Sequence, residues 1–386
     1  MSKNIYIASA ARTPVGSFQG SLSSLTAPEL GAHAIKASLT QANIEKSKIS
    51  EAIFGNVVGA GLKQAPARQA MRNAGLPDAC GATTINKVCG SGMKAIMLAT
   101  DLLQADNGET ILAGGMESMS NAPYLIPKAR AGLRMGHQEI QDSLFLDGLE
   151  DAETGGSMGS FAQNTADEYQ LTRQDMDAYA TQSVTRARQA IEEKLLESEI
   201  KPIEIGAETI CDDEQPGRAK LDKISSLRPA FKADGTITAA NSSSISDGAS
   251  SVILTSNESL LNAEPLARIV GHATHSIHPS QFTIAPVGAI KKLTDKLAWQ
   301  LEEVDLFEIN EAFAMVTMLA IQELKLDPKK VNIYGGACAQ GHPIGSTGSR
   351  LVVTLAHAMK RLDMKKGIAA LCIGGGEATA VALERT

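Results

Sequence analysis

Residues 82–104 of this 386-residue chain read ATTINKVCGSGMKAIMLATDLLQ, and this stretch indicates the fold. The β-favouring residues of 82–88 predict a strand, the glycines of 89–92 predict a tight turn, and the apolar spacing of 93–104 predicts a helix. The pattern continues on both sides, with strands predicted at 5–9, 51–58 and 110–113 and helices at 65–74 and from Ala27 onward. Alternating strands and helices are typical of an α/β fold, here with largely parallel strands.

The texture of the chain changes over about 118–241, where polar and charged residues dominate. A long helix is predicted at 173–194, and we interpret the region as an insertion over the core with no separately wound sheet. After Ala249 the α/β pattern resumes and repeats the first part of the chain in the same order. The echoed segments are 52–56 with 305–310, 90–92 with 345–348, and 114–117 with 374–377.

Composition excludes several classes of protein. Hydrophobic residues make up 43% and charged residues 20%, as in soluble globular proteins, and the formal net charge of -7 disfavours nucleic-acid binding. No run approaches the roughly 18 apolar residues of a membrane span, and the first residues do not resemble a signal peptide. Five cysteines without a close pair argue against disulfides and structural zinc. We therefore expect a cytoplasmic protein.

Cys89 is the candidate nucleophile. It lies between the predicted strand and a glycine-flanked helix start, where unpaired N–H groups and the helix dipole favour a thiolate. The alternative is a small buried core residue, which is the commoner situation for a free cysteine.

Three further residues on glycine-rich turns can take part in chemistry. His342, within GGACAQGHPIG, can accept a thiol proton near neutral pH or donate to an oxyanion. Cys372 precedes three glycines, which permit close approach of a ligand to backbone N–H groups. Asn310 can hold a catalytic water. The alternatives are a loop histidine bonded to backbone for His342 and a helix cap for Asn310.

Four segments together resemble the signatures of the thiolase family: NKVCGSG at 86–92, NEAF at 310–313, GHPIG at 341–345 and CIGGG at 372–376. They occur in family order, and the resemblance runs from about Ile5 to the C-terminus. It implies the thiolase fold, with two similar βαβαβαββ halves in an α-β-α-β-α arrangement and an inserted loop domain. We expect residues 1–117 and 249–267 to form the N-terminal half, 118–248 the coenzyme A-binding insertion, and 268–386 the C-terminal half.

The resemblance also implies a division of labour. Cys89 becomes acylated and His342 activates it, then helps to hold a thioester oxygen with a water positioned by Asn310. Cys372 exchanges a proton with the α-carbon of the second acyl group, and the N–H groups of Cys89 and Gly374 form an oxyanion hole. Two acetyl-CoA molecules would give acetoacetyl-CoA and CoA reversibly, without a tightly bound cofactor. We expect no nucleic-acid or membrane partner, and a homodimer or homotetramer.

The positions that match the family's coenzyme A pocket lie mainly in the insertion; they are Leu149, Met158, Arg218, Phe231, Ala239, Ser243 and Phe313. Arg218 would meet a nucleotide phosphate, the apolar groups would line the pantetheine channel, and Ser243 would bond its amide. The alternative for Arg218 is a solvated surface charge. Two positions depart from the family: Ser157 replaces a histidine, and Phe282 replaces a methionine of the acyl pocket. Acyl-chain preference therefore stays open.

Other functions remain as alternatives. They are a longer-chain 3-ketoacyl-CoA thiolase of fatty-acid β-oxidation, a decarboxylating ketoacyl synthase and a non-catalytic acyl-CoA-binding protein. A ketoacyl synthase would carry a second histidine where Cys372 stands. The run of His272, His275 and His278 invites a metal interpretation, but no cysteine or carboxylate cluster accompanies it, so we predict no metal site.

Overall fold

Two halves of similar topology make up the structure, a computed structural model that describes residues 3–385. The first half begins with β1 (Ile5–Arg12), α1 (Ala27–Ala42), β2 (Glu51–Gly55), α2 (Pro66–Asn73), β3 (Gly81–Ile85), α3 (Ser91–Gln104) and β4 (Thr110–Ser118). The inserted region carries α4 (Met158–Glu168) and α5 (Arg173–Glu192), and β5 (Ser246–Thr255) completes the first half. The second half contains β6 (Ala267–Ser276), α6 (Ala285–Leu297), β7 (Leu306–Ile309), α7 (Ala314–Leu324), α8 (Ile344–Leu362), β8 (Lys366–Ile373) and β9 (Glu377–Glu384).

The strands form one mixed sheet in the order β7-β8-β9-β6-β1-β5-β4-β2-β3, and the short strand Gly16–Ser17 pairs with β5. Only β2–β3, β2–β4 and β7–β8 are parallel pairs among the described strands. The expectation of largely parallel strands was therefore wrong. The turn between β8 and β9 is too short for a crossover, so these strands must be antiparallel, and β5 returns from the insertion antiparallel to β4.

The sheet order confirms the internal repeat. Starting from the contact between β1 and β6, the first half reads β1-β5-β4-β2 and the second reads β6-β9-β8-β7. The two runs have matching parallel and antiparallel pairings. The echoed asparagines Asn56 and Asn310 directly follow the corresponding strands β2 and β7.

The halves stack into five layers. Helices α3 and α8 lie in the middle and contact strands of both half-sheets. Their apolar residues, such as Ile96 and Val353, share one buried cluster with strand residues from both halves. Helices α1 and α2 cover the outer face of the first half, and α6 and α7 cover that of the second. This is the α-β-α-β-α arrangement expected from the thiolase resemblance, and it brings the starts of α3 and α8 together.

Strand β2 ends at Gly55, three residues earlier than predicted. The N–H groups of Val57 and Val58 donate to the side chain of Glu117 at 3.0 and 3.2 Å instead of to a neighbouring strand. A buried carboxylate from β4 therefore shapes this loop, because it satisfies donors that a sheet would otherwise use.

The inserted region lies against the second half. Helix α5 contacts α7 and the short helix Ala337–Gln340. The described residues of the region contain strands only in two small two-stranded sheets, so the region has no separately wound larger sheet. No helix within residues 3–385 combines the length and apolar character needed to cross a membrane.

Candidate active site

A cleft between the inserted region and the starts of α3 and α8 brings Cys89, His342 and Gly374 together. It encloses about 950 Å³ of non-protein space, including the part open to solvent. Its lining is Cys89, Met119, Phe145, Gly148, Leu149, Ser157, Met158, Gly159, Phe231, Ser242, Ser243, Ser244, Ile245, Phe282, Ala312, Phe313, His342, Ile344 and Gly374. Almost all of these are apolar or small, and none carries a permanent charge, so the cleft suits a largely neutral ligand segment.

A strained turn presents Cys89 to this cleft. Val88 has a φ of 47°, a left-handed conformation that is costly for a β-branched residue. Side chains on both sides hold the turn: Asn86 Oδ1 accepts from the Val88 N–H at 2.9 Å, and the Ser91 hydroxyl donates to the Val88 carbonyl at 2.7 Å. Helix α3 begins at Ser91. The predicted strand–turn–helix around Cys89 is therefore confirmed.

The Cys89 thiol is not pre-ionised. Burial raises its pKa to about 11, and this outweighs the lowering effect of hydrogen bonds from the N–H groups of Gly374 and Cys89 itself. The thiolate expected at the helix start is thus suppressed, because the sulfur is surrounded by protein although the residue keeps some exposure. The same two N–H groups thus converge at the Cys89 sulfur.

His342 is held in one orientation beside the cleft. Its Nδ1 lies 2.6 Å from the Thr347 hydroxyl, which in turn donates to the Pro343 carbonyl at 3.0 Å. Since that hydroxyl has only one proton, Nδ1 must be the donor to Thr347, and Nε2 is left as an unprotonated acceptor. Nε2 is buried and has no hydrogen-bond partner among the described residues. The imidazole is therefore arranged as a base.

The charge state of His342 agrees with this tautomer. Burial, with a smaller contribution from the Arg350 charge, lowers its pKa to about 3. The free protein thus combines a neutral thiol at Cys89 with a neutral imidazole, and no thiolate–imidazolium pair is formed in advance. Proton transfer from sulfur must accompany attack on a bound substrate.

Cys372 and Asn310 are not part of the cleft lining. Cys372 is fully buried at the end of β8, and its pKa is raised well above the usual value by burial and by its proximity to Cys89. Asn310 is also fully buried, and neither atom of its side-chain amide has a hydrogen-bond partner within residues 3–385. Such a group is costly unless something polar meets it, so Asn310 has donor and acceptor capacity to offer.

Five of the seven positions predicted to bind coenzyme A line the cleft; they are Leu149, Met158, Phe231, Ser243 and Phe313. The Ser243 hydroxyl donates to the Ala312 carbonyl at 3.0 Å, which leaves its oxygen free to accept from an amide N–H. Arg218 pairs with Glu214 on its own short helix and is not part of the lining, nor is the exposed Ala239.

The two departures from the family pattern both line the cleft. The Ser157 hydroxyl accepts from the Ser160 N–H at 3.2 Å and caps α4. Phe282 is almost fully buried, and its ring meets Phe313 edge-on with 6.5 Å between centroids. Phe231 contacts the other side of Phe313 at 6.2 Å. Three aromatic rings thus form one wall of the cleft.

The three histidines of the 272–278 run have separate surroundings. His272 Nε2 lies 2.9 Å from Asp101 Oδ1, and His278 Nδ1 lies 2.8 Å from the Ser280 hydroxyl. In the part of the chain that the structure describes, no three histidine, cysteine, aspartate or glutamate side chains converge in a way that could hold a metal ion.

Two residues that sequence reasoning missed support the site. Thr347 fixes the His342 tautomer, and Glu117 contacts the loop that carries His342. Thr347 lies within the echoed segment 345–348, and Glu117 lies in GGME, the echo of GGGE. The internal repeat could therefore have indicated that both positions matter, but it could not have predicted which residues they contact.

Comparison with known proteins gives consistent matches over the whole chain. The thiolase N-terminal domain matches residues 5–258 and the thiolase C-terminal domain matches residues 263–385. An acetyl-CoA acetyltransferase of Schizosaccharomyces pombe is 45% identical over 99% of this chain and 98% of its own length. One from Pseudomonas aeruginosa is 46% identical over 99% of this chain and all of its own. The crystal structure of Acat5 thiolase from Ascaris suum in complex with coenzyme A has a TM-score of 0.95 and 40% identity, covering both chains completely.

Proposed function

This chain belongs to the thiolase family, and on that premise we propose that it is an acetyl-CoA C-acetyltransferase, which condenses two acetyl-CoA molecules reversibly to acetoacetyl-CoA and CoA. The chain is an acyltransferase. The observation that supports the proposal best is the Cys89 sulfur, which meets the N–H groups of Cys89 and Gly374 in a cleft that His342 also lines.

The first step is acylation of Cys89. The His342 Nε2 accepts the thiol proton while sulfur attacks the thioester carbonyl, and the two backbone N–H groups stabilise the oxyanion. The bond to the CoA sulfur then breaks, and CoA leaves with the proton from His342. Since the product is itself a thioester, acylation is reversible.

The second step forms the carbon–carbon bond. The neutral His342 imidazole first takes the proton of the Cys372 thiol, and the resulting Cys372 thiolate removes a proton from the methyl carbon of a second acetyl-CoA. The His342 N–H so formed and a water held by Asn310 stabilise the enolate oxygen. The carbon attacks the acetyl group on Cys89, the carbon–sulfur bond breaks, and the Cys89 sulfur takes the proton held by His342, while Cys372 keeps the proton of the methyl carbon. The unpartnered amide of Asn310 supports this role because it has hydrogen bonds to offer.

We propose that the cleft holds the pantetheine arm of coenzyme A, which is substrate and not a tightly bound cofactor. The free acceptor capacity of Ser243 supports a bond to an amide of that arm, and the apolar lining by Leu149, Met158, Phe231 and Phe313 supports the channel. Arg218 and Ala239 stay predictions for contacts nearer the nucleotide, outside the cleft. We keep the predicted division into 1–117 with 249–267, 118–248 and 268–386.

Mass spectrometry of Cys89 is the direct test of the covalent mechanism. Incubation with acetyl-CoA should add one acetyl group to Cys89, and Cys89→Ala should lose both this adduct and turnover. Cys372→Ala should still form the adduct but fail in condensation, whereas His342→Ala should form it slowly. Turnover by Cys89→Ala would contradict the covalent step and would favour a different chemistry, and absence of any adduct would favour a non-catalytic binding protein.

Thiolysis rates distinguish the acyl-chain alternatives. We expect acetoacetyl-CoA to react faster than a series of C8–C16 ketoacyl-CoA substrates, because the buried Phe282 ring reduces the space beside Phe313. A preference for the long chains would support the β-oxidation thiolase instead. Condensation that requires malonyl-CoA, without thiolysis, would support the ketoacyl synthase.

We also propose a homodimer or homotetramer in the cytoplasm. The edge strand β3 is largely exposed, and the segment 122–146 exposes several large apolar side chains, namely Tyr124, Ile126, Leu133, Met135 and Ile140. Both features are typical of surfaces that associate. Light scattering should give two or four chains, and a monomer would contradict this; cell fractionation tests the location.

A further inference from the structure

Glu117 accepts hydrogen bonds from both halves of the chain near the site, and no role in the proposed reaction accounts for them. It is fully buried at the end of β4. One carboxylate oxygen accepts from the Asn56 side chain at 2.7 Å and from the Val58 N–H at 3.2 Å. The other accepts from the N–H groups of Val57 at 3.0 Å and Gly345 at 2.9 Å. All four lone-pair positions thus receive donors, and the donors come from both halves of the chain.

A first chain of hydrogen bonds connects Glu117 to the turn of the nucleophile Cys89. Glu117 holds the loop of Val57, whose carbonyl lies 3.5 Å from the Asn86 amide nitrogen. Asn86 in turn accepts from the Val88 N–H, immediately before Cys89. The strained Val88 conformation persists only if such neighbours constrain it.

A second hydrogen bond connects Glu117 to the start of α8, beside the proposed base His342. Gly345 lies in the first turn of α8, three residues after His342. A Cβ added to Gly345 would lie 2.6 Å from the near carboxylate oxygen of Glu117, so only glycine allows this approach. The same turn of α8 contains Thr347, which fixes the His342 ring.

We propose that Glu117 is a positioning residue that sets Cys89 and His342 relative to each other by fixing the two loops, one from each half, that carry them. This rests on the proposed roles of Cys89 and His342. Glu117 itself does not line the cleft and touches no reacting atom.

Glu117→Gln is the informative variant. Glutamine keeps the shape but replaces one acceptor oxygen with an N–H₂ group, which faces two N–H donors and displaces one loop. A misplacement of about 1 Å between reacting groups can cost about 10²-fold in rate. We therefore expect Glu117→Gln to acetylate Cys89 about 10²-fold more slowly than the parent. The comparison is made at about pH 9, above the Glu117 pKa of about 8, where the parent side chain is a carboxylate. The KM for acetyl-CoA should stay within about threefold, because the cleft lining is unchanged.

Asp247→Asn is the matched control. Asp247 is equally buried on β5, where Gly248 pairs with Glu117, but its bonds go to Ser120 and Met119 and not to either loop. We expect this variant to acetylate Cys89 at nearly the parent rate. Equal slowing in both variants would overturn the proposal, since loss of any buried acid near the site would then suffice.

Urea unfolding establishes that each variant is folded before its rate is compared. A folded Glu117→Gln that acetylates Cys89 within about threefold of the parent, or that changes only KM, would overturn the inference. If Glu117→Gln does not fold, Glu117→Asp is measured instead, and its shorter side chain should slow acetylation of Cys89. A parent-like rate in Glu117→Asp, or its failure to fold, would mean that Glu117 is a purely structural residue. If the parent itself does not acetylate Cys89, the proposed function is wrong. If the parent acetylates Cys89 and Glu117→Gln does so equally fast, only the inference about Glu117 is wrong.

Discussion

Asn56 and Asn310 occupy matching places in the two halves, each directly after a parallel strand, yet their side chains have opposite surroundings. The Asn56 amide donates to Glu117 and to the Met116 carbonyl. The Asn310 amide has no partner in the described chain. The glutamates also differ: Glu117 is buried and accepts from donors of both halves, whereas Glu377, its echo, is partly exposed and forms an ion pair with Lys87 across the halves. The amide of the first-half asparagine is thus bonded within the protein, whereas that of the second-half asparagine keeps free hydrogen-bonding capacity among the described residues.

The largest expected effect is a difference in pH dependence between alkylation of Cys89, in the first half, and acetylation assisted by His342, in the second. Below its pKa of about 11, the Cys89 thiolate fraction rises tenfold per pH unit, so iodoacetamide should alkylate Cys89 about 10³-fold faster at pH 9 than at pH 6. His342, with a pKa of about 3, stays neutral over this range, so acetylation by acetyl-CoA should change by no more than about threefold between pH 6 and 7, below the Glu117 pKa of about 8, where alkylation still rises about tenfold.

Peptide mass spectrometry is needed to follow Cys89 separately from the exposed Cys211. An alkylation rate that is already constant between pH 6 and 8 would show a thiolate–imidazolium pair in the free protein, contrary to the buried neutral pair described above.

The next effect tests the two asparagines directly. Asn310→Ala should lower condensation by about 10²-fold, as for loss of one oxyanion donor, with little change in stability because no protein contact is lost. Asn56→Ala should cost about 1.5–3 kcal/mol of unfolding free energy at about pH 9, above the Glu117 pKa of about 8, because it removes a bond to a buried carboxylate. Condensation assays and urea unfolding measure both. Equal losses of stability in the two variants would erase the contrast between the halves.

A smaller effect is expected for the residues that hold each functional turn. Thr347→Val removes the partner of His342 Nδ1 and should slow acetylation about tenfold, with Thr347→Ser restoring most of the rate. Ser91→Ala removes the corresponding hydroxyl from the Cys89 turn and is the matched variant. Single-turnover acetylation measures both. A parent-like rate for Thr347→Val would mean that packing alone orients the imidazole.

The smallest effect concerns the ion pair between Lys87 and Glu377. Both side chains are partly exposed, so the pair should contribute at most about 1 kcal/mol. Glu377→Gln should change acetylation by no more than about threefold, far less than Glu117→Gln. Comparison of the two variants at low and high salt measures this. A loss as large as that of Glu117→Gln would mean that both halves use their glutamate in the same way.

Much of the site could be predicted from local sequence. Cys89 stands between a strand and a helix whose signals are all within a few residues, and His342 and Cys372 are marked by glycine-rich turns. Arg218 shows the limit of this approach: its ion pair with Glu214, four residues earlier, is local, but its place outside the cleft depends on how the inserted region packs. The shortened β2 shows it as well, since Glu117 from a distant strand takes the donors of Val57 and Val58.

The sequence by itself determined most of the elements, the repeat and the candidate reactive groups, because periodicity, turn residues and chemical type are local properties. The tertiary structure decided the mixed sheet, the neutral states of Cys89 and His342, and the different surroundings of Asn56 and Asn310. Those properties depend on burial and on partners that are far apart in the chain, and Glu117, whose four donors come from two halves, is the clearest case.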